Sequence, residues 1–283
     1  MSFLAFGKTG QVARELARLP DVICLGRDEA ELSDAAGCAA QIGRCRPRAV
    51  INAAAYTDVD RAESQVALAR LVNGNAPGAL ANACAELRIP FVHLSTDYVF
   101  DGSGDAPWRP SSPTAPLNAY GESKSRGEQA VYEAGGTFAI LRTSWVFAAQ
   151  GKNFVRTMLR LGAEQDALRI VSDQIGGPTP ARDIAKACYH IAECLIENPA
   201  LSGTYHFSGT PDCSWAAFAR EIFQMSDISC HVIDIKTQDY PTAARRPLNG
   251  RLDCSLTQAA FGLARPDWRV SLAQTLKELG AMP

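Results

Sequence analysis

Short apolar runs alternate with longer amphipathic stretches through the first half of the chain, and this alternation limits the fold more than any other feature. Residues 2–6, 22–25, 49–53, 91–95 and 138–141 read as strands, and helical periodicity fills 10–19, 34–45, 60–71, 77–87 and 120–132 between them. Strands separated by helices must pair in parallel, because each connection has to cross back over the sheet, and the helices then cover both faces. Such sheets bind ligands at the carboxyl ends of their strands, so chemistry is expected just after them. The second half is less regular. Helices are expected over 153–162, 182–196, 215–223 and 271–279, among loops around Pro178, Pro241 and Pro247. The expected fold is α/β: a Rossmann-like, doubly wound parallel sheet with a smaller, mixed C-terminal substrate-binding lobe. Residues 1–148 are expected to form the dinucleotide-binding domain, completed by about 171–200. Residues 149–170 and 201–283 are expected to form the lobe.

Composition removes several function classes. The 283 residues carry 28 Lys and Arg against 30 Asp and Glu, a net charge of -2. That balance lacks the basic field that binding to a nucleic acid polymer needs. No apolar run approaches the roughly 20 residues of a membrane span, and the N-terminus enters a glycine turn directly, without a leader pattern. The nine cysteines are odd in number, scattered, and without a C-x-x-C pair. This predicts free thiols and a cytoplasmic location. His93, His190, His206 and His231 are isolated from one another, so no metal site is expected. No G-x-S-x-G elbow is present, which argues against an α/β-hydrolase.

The segment from Phe3 to Ala13 reads as strand, glycine turn and helix start. Gly7 permits the turn, Gly10 lets the backbone approach a pyrophosphate, and Ala13 lets helix and strand pack closely. Thr9, Gln11 and Val12 share the phosphate-binding stretch, whose helix N-terminus favours anions. After the second strand comes Arg27 instead of the acidic residue usual for NAD. Pairing of Arg27 with a 2′-phosphate favours NADPH, with NADH left open. Glu31 and Leu32 would flank the adenine end. Ala53, Ala54 and Ala55 end the third strand with side chains small enough for a cofactor to lie across them.

Tyr120 and Lys124 stand at i and i+4 and so share one helix face. A cation beside a phenol favours the phenolate, making Tyr120 a usable proton donor to a ketone, and Lys124 can reach a cofactor ribose. Thr96 follows the fourth strand and can donate to a substrate oxygen or to Tyr120. Asp97 can accept from a sugar hydroxyl, and Tyr98 can wall the pocket. Trp145, after the fifth strand, suits either stacking on a sugar or core packing.

With the motifs Phe6-Gly7-Lys8-Thr9-Gly10-Gln11-Val12, Asn52-Ala53-Ala54-Ala55-Tyr56-Thr57, Ser95-Thr96-Asp97-Tyr98-Val99-Phe100, Tyr120-Gly121-Glu122-Ser123-Lys124, Arg142-Thr143-Ser144-Trp145-Val146, Asp173-Gln174-Ile175-Gly176-Gly177-Pro178-Thr179 and Ala244-Arg245-Arg246-Pro247 in this order, the chain resembles the dTDP-4-dehydrorhamnose reductases, within the extended short-chain dehydrogenase/reductases. The resemblance runs along nearly the whole chain. It implies NAD(P)H-dependent reduction at C4 of dTDP-4-dehydro-6-deoxy-L-mannose to dTDP-L-rhamnose, the last step of dTDP-rhamnose biosynthesis. Tyr120 would be the proton donor, Lys124 its partner and Thr96 the tuning hydroxyl, with Asp97 and Trp145 on the sugar. It also implies a product destined for polysaccharide. Two alternatives stay open: reduction of another nucleotide 4-ketosugar, and a non-catalytic NADP-binding subunit of the kind that regulates methionine adenosyltransferase. Members of the family can carry Mg²⁺ between subunits, and Glu15 and Glu278 match two of its ligands. Arg182 stands where a third carboxylate is expected, and a cation there repels Mg²⁺. No metal-bridged dimer is therefore expected, although Asp183 next door could substitute for the missing carboxylate and a homodimer stays open.

Overall fold

The computed structural model describes residues 2–282. In chain order its first part is β1 (Phe3–Phe6), α1 (Gln11–Leu16), β2 (Val22–Leu25), α2 (Ala35–Cys45), β3 (Val50–Asn52), α3 (Val59–Ala62), α4 (Val66–Arg70), α5 (Ala76–Leu87), β4 (Phe91–Thr96), α6 (Ala119–Ala134) and β5 (Phe138–Thr143). The second part is β6 (Val146–Phe147), α7 (Phe154–Glu164), β7 (Ala167–Val171), β8 (Ile175–Gly176), β9 (Thr179–Pro180), α8 (Ala181–Glu197), β10 (Gly203–His206), β11 (Cys213–Ser214), α9 (Trp215–Met225), β12 (His231–Ile235), β13 (Asn249–Gly250), α10 (Ser255–Phe261) and α11 (Trp268–Glu278).

Six strands form one parallel sheet in the order β10-β5-β4-β3-β1-β2. Its central strands are buried almost throughout, because helices cover both faces and leave no solvent side for polar residues. Alternate residues serve opposite cores. Phe3 and Ala5 pack with Leu16 of α1 and with Ile184, Cys188, Ile191 and Leu195 of α8. Leu4 and Phe6 pack with Ile42 of α2, Leu80 and Cys84 of α5, and Val131 of α6. The α8 residues recur at three- and four-residue spacing, which lays them on one stripe. Fully burying one such Ile or Leu contributes about 1.5–3 kcal/mol. A third core, around Phe147, Met158, Phe218, Ile222, Trp268 and Leu272, holds α7, α9 and α11 together. It adjoins the parallel pair β7 and β12, while β11, β8 and β13 form a small mixed sheet.

Two features depart from the sequence reading. The sixth sheet strand, β10, falls within 201–283, the stretch expected in the lobe, and Tyr205 of that strand packs edge-on against Phe261 of α10. Gly203-Thr204-Tyr205-His206 is too short and too polar to carry a strand signal by itself. In addition, a π-helical turn over Leu71–Asn75 joins α4 directly to α5, where the sequence suggests a break. The turn serves Asn73, a buried residue whose Oδ1 accepts from the Tyr56 N–H at 2.8 Å. Its Nδ2 donates to the Tyr56 carbonyl at 2.9 Å and to Ser123 Oγ at 3.0 Å. One side chain thus ties the loop after β3 to α6.

Candidate active site

β4 ends at Thr96, level with Thr143 at the end of β5. The chain then makes a single tight turn over Asp97–Val99, capped by Thr96, whose Oγ1 accepts from the Tyr98 N–H at 3.2 Å. The same hydroxyl donates to Asp97 Oδ1 at 3.1 Å. Asp97 is 2% exposed, and its Oδ2 has no hydrogen-bond partner among the described residues. Burial pushes this carboxyl up to about 7, against the opposing hydrogen bond from Thr96.

The helix α6 delivers Tyr120 and Lys124 to the same place. Asn118 caps it, with Oδ1 accepting from the Gly121 N–H at 2.8 Å, while its Nδ2 donates to the Arg245 carbonyl at 2.7 Å. The cap therefore also grips the loop before β13. Gly121 has no alternative here, since the Tyr98 carbonyl oxygen would lie 2.1 Å from any Cβ. This close approach sets Tyr120 edge-on to Tyr98, with ring centroids 5.7 Å apart. The Tyr120 ring is partly accessible while its hydroxyl lies deep, beside Thr96 and Asp97. Burial pushes that phenol up to about 12, with the Thr96 hydrogen bond acting the other way. Burial pushes the Tyr98 phenol up as well.

The Tyr–Lys spacing predicts a phenol drawn down by a neighbouring cation, and here the structure differs. Lys124 Nζ donates to the Leu94 carbonyl at 2.6 Å and lies 3.4 Å from His93 Nε2. Burial pulls the Lys124 amine down to about 8, opposed by Glu128. Desolvation therefore outweighs the Thr96 hydrogen bond at Tyr120 and the pull of Glu128 at Lys124, and favours the neutral form of each.

Trp145 takes a left-handed backbone, φ +47°, costly for a bulky residue and a mark of a constrained site. Its ring stacks on Trp215, with centroids 3.5 Å apart and planes at 9°. It covers Gly176 of β8, where a Cβ would come within 2.9 Å of the indole. β8 pairs with β13, and a Cβ on Gly250 of β13 would lie 2.6 Å from Asp97 Oδ2. Asp97, Gly250, Gly176 and Trp145 thus form an unbroken chain of neighbours between the sheet edge and the lobe. Trp215 and Gly250 carry no signal in the sequence that would single them out.

The nucleotide end lies at β1 and β2. Gly7 has φ +113°, open to glycine alone at low cost, and a Cβ there would stand 3.3 Å from both Ala13 Cβ and the Ala54 nitrogen. Gly7, Ala13, Ala53 and Ala54 therefore meet at the turn. Gly10 caps α1 with no side-chain hydrogen bond. Thr9 is exposed beside it, and its carbonyl accepts from Arg14 Nε at 3.0 Å. Val12 and Leu32 are buried core residues, so only their backbone can face a ligand. Gln11 accepts from Asn153 Nδ2 at 2.8 Å, which brings the segment after β6 against the turn. Arg27 is exposed and paired with Glu31 at 3.1 Å. Lys8, not singled out by sequence, lies against Gly26 and pairs with Glu29 at 2.9 Å, placing a second cation beside Arg27.

Glu15 and Glu278 do come together, but Arg182 sits with them. Its guanidinium bonds Glu278 directly and lies 3.8 Å from Glu15. Asp183 is instead engaged by the Ser271 hydroxyl at 2.9 Å. A guanidinium already neutralises these carboxylates, so the residues do not suit Mg²⁺. Among the described residues, no three His, Cys, Asp or Glu side chains form a group able to hold a metal ion.

Comparison with known proteins gives the same picture. Residues 1–281 match the family described as "RmlD substrate binding domain". A dTDP-4-dehydrorhamnose reductase of Burkholderia thailandensis is 44% identical over 295 residues, covering 99% of each chain. Among solved structures, the dTDP-4-dehydrorhamnose reductase of Clostridium acetobutylicum superposes with a TM-score of 0.92 at 33% identity, covering 99% of this chain and 100% of the other. That of Bacillus anthracis, in complex with NADP, gives 0.90 at 33%, covering 98% and 100%. The chain belongs to the dTDP-4-dehydrorhamnose reductase family.

Proposed function

We propose that Tyr120, Thr96 and Lys124 carry out the family's reaction, NAD(P)H-dependent reduction of dTDP-4-dehydro-6-deoxy-L-mannose to dTDP-L-rhamnose, which completes dTDP-L-rhamnose synthesis. The observation that carries this reading is the seating of Tyr120 against Tyr98, in the turn that Thr96 caps at the end of β4, with Lys124 one helical turn on bonded to the Leu94 carbonyl. When bound, the cofactor supplies the hydride to C4. Tyr120 then passes its proton to the oxygen developing negative charge there, and Thr96 steadies that oxygen by turning its one hydroxyl proton from Asp97 toward it. Asp97 and Trp145 hold the sugar, with Tyr98 closing the wall. Lys124 holds the ribose of the nicotinamide half and stabilises the phenolate that Tyr120 becomes.

The residues around β1 fit a dinucleotide. Gly7, Thr9, Gly10, Gln11 and Val12 offer a phosphate turn, and Ala53, Ala54 and Ala55 offer a shelf on which a larger side chain would intrude. Arg27, joined by Lys8, would read the 2′-phosphate of NADPH, while Glu31 and Leu32 flank the adenosine. The segments 149–170 and 207–254 would form the substrate side, with β10 belonging to the cofactor side. All nine cysteines are free, which supports a cytoplasmic setting. Among the described residues, no helix is long and apolar enough to cross a membrane. Any self-association would not depend on Mg²⁺.

Tyr120→Phe tests the assignment directly. It should cut kcat by about 10²–10⁴ while NADPH still binds with nearly unchanged affinity. Retention of most of the activity would remove Tyr120 from the acid role.

A further inference from the structure

Beneath the site lies a histidine that the reaction as derived does not use. His93, in the middle of β4, is fully buried and stands in register with Asn52 of β3. Both of its ring nitrogens face polar groups. Nδ1 lies 3.2 Å from Asn52 Nδ2, and Nε2 lies 3.4 Å from Lys124 Nζ. Asn52 in turn accepts from the Ala54 N–H at 3.3 Å. One buried row therefore runs from the alanine shelf at the cofactor, through Asn52 and His93, to the amine on α6.

A row of this kind is an expensive way to fill space. His93 lies between Val92 and Leu94 in a strand otherwise suited to apolar packing, and a buried polar ring costs stability unless both nitrogens are paired. A branched aliphatic residue would pack the same position without that cost. What imidazole adds is chemical. The Leu94 carbonyl can only accept from Lys124. A neutral imidazole has one N–H and one lone pair; with Asn52 Nδ2 donating to Nδ1, the N–H falls on Nε2, where it can donate to the neutral Lys124 amine. Burial and the nearby Lys124 charge hold the ring in that neutral form.

We propose that His93 is a positioning residue for the reduction, fixing Lys124 Nζ through its Nε2 and linking it through Asn52 to the Ala53–Ala55 shelf. The proposal rests on the reading of Lys124 as part of the active site. It treats the amine as held at two points, Leu94 from one side and His93 from the other. Loss of the second point lets Nζ drift from the place where it meets the ribose.

Three variants of the full chain test it, each measured for kcat, KM for NADPH and thermal midpoint. His93→Gln keeps a polar group on the Lys124 side. His93→Asn keeps one only on the Asn52 side, and His93→Leu keeps neither. The Gln variant should retain kcat within about threefold, while Asn and Leu lose about tenfold or more and raise KM for NADPH. Gln and Asn should melt at similar temperatures. If kcat follows the melting temperature instead, with Gln and Asn equally active, His93 only packs the core and the proposal is overturned. Should the Leu variant fail to fold, the Gln–Asn contrast still decides. In a Lys124→Ala background, His93→Asn should cost nothing further in residual rate, and an undiminished tenfold loss there would also overturn the proposal. Full activity of Lys124→Ala alone would instead refute the site reading, independently of any His93 variant.

Discussion

Burial sets the chemistry of the side chains at the end of β4 more than charge does. Asp97 shows this most plainly. Its carboxyl is pushed up to about 7 from an ordinary value of 3.8, and its Oδ2 has no partner. The folded chain therefore binds more protons than the unfolded chain between those two values, and stability falls as pH rises through that window. Asp97→Asn removes the titration. The variant should melt higher than the parent at pH 8, and its midpoint should no longer fall between about pH 4 and 7 on account of this group. If Asp97 holds the sugar as proposed, turnover should drop, because the amide keeps one weaker acceptor oxygen and puts an N–H donor in place of the other. An unchanged melting profile would mean that Asp97 is already paired or solvated. Burial likewise raises the Tyr120 phenol and draws Lys124 down to about 8, so the ammonium form of Lys124 is lost above that pH.

At the scale of elements, α6 and the strand ends are held by polar contacts buried under the site. Glu128 of α6 bonds Arg142 of β5 through Oε2 at 2.6 Å and through Oε1 at 2.9 Å, with both side chains only 6% exposed. Ser95 of β4 donates to the same carboxylate. Removing one partner strands the other charge away from water, so Glu128→Ala should cost about 3–5 kcal/mol, measured by denaturant unfolding. A loss below about 1 kcal/mol would place the pair in solvent instead. The sequence makes α6 and its Tyr–Lys face legible because that pattern is local, four residues on one helix. It makes the Gly7 turn legible for the same reason. Asn73 and Glu128 are silent in sequence, since each matters only through partners 14 to 50 residues away. The phenol's proton affinity departs from the sequence reading because the spacing shows Lys124 on the same helix face but hides the burial that raises the Tyr120 phenol.

For the whole molecule, the site depends on joining the sheet edge to the lobe through Gly176, Gly250, Trp145 and Trp215, and none of those contacts is local. The strand–helix alternation yields the sheet, but β10 and α10 join it from a stretch with no such rhythm. Arg182 is legible in type and position, and its partners Glu15 and Glu278 complete an ion-pair cluster between α1, α8 and α11. Arg182→Glu would place three carboxylates there. Mg²⁺ should then raise the thermal midpoint of the variant and leave that of the parent unchanged, whereas equal response of both would contradict the ion-pair reading. The most direct measurement incubates the protein with NADPH and dTDP-4-dehydro-6-deoxy-L-mannose generated in situ, and identifies the product by mass and NMR. Stoichiometric NADPH oxidation with formation of dTDP-L-rhamnose is the predicted result. Tight NADPH binding with no oxidation, or a product of different configuration at C4, would contradict it.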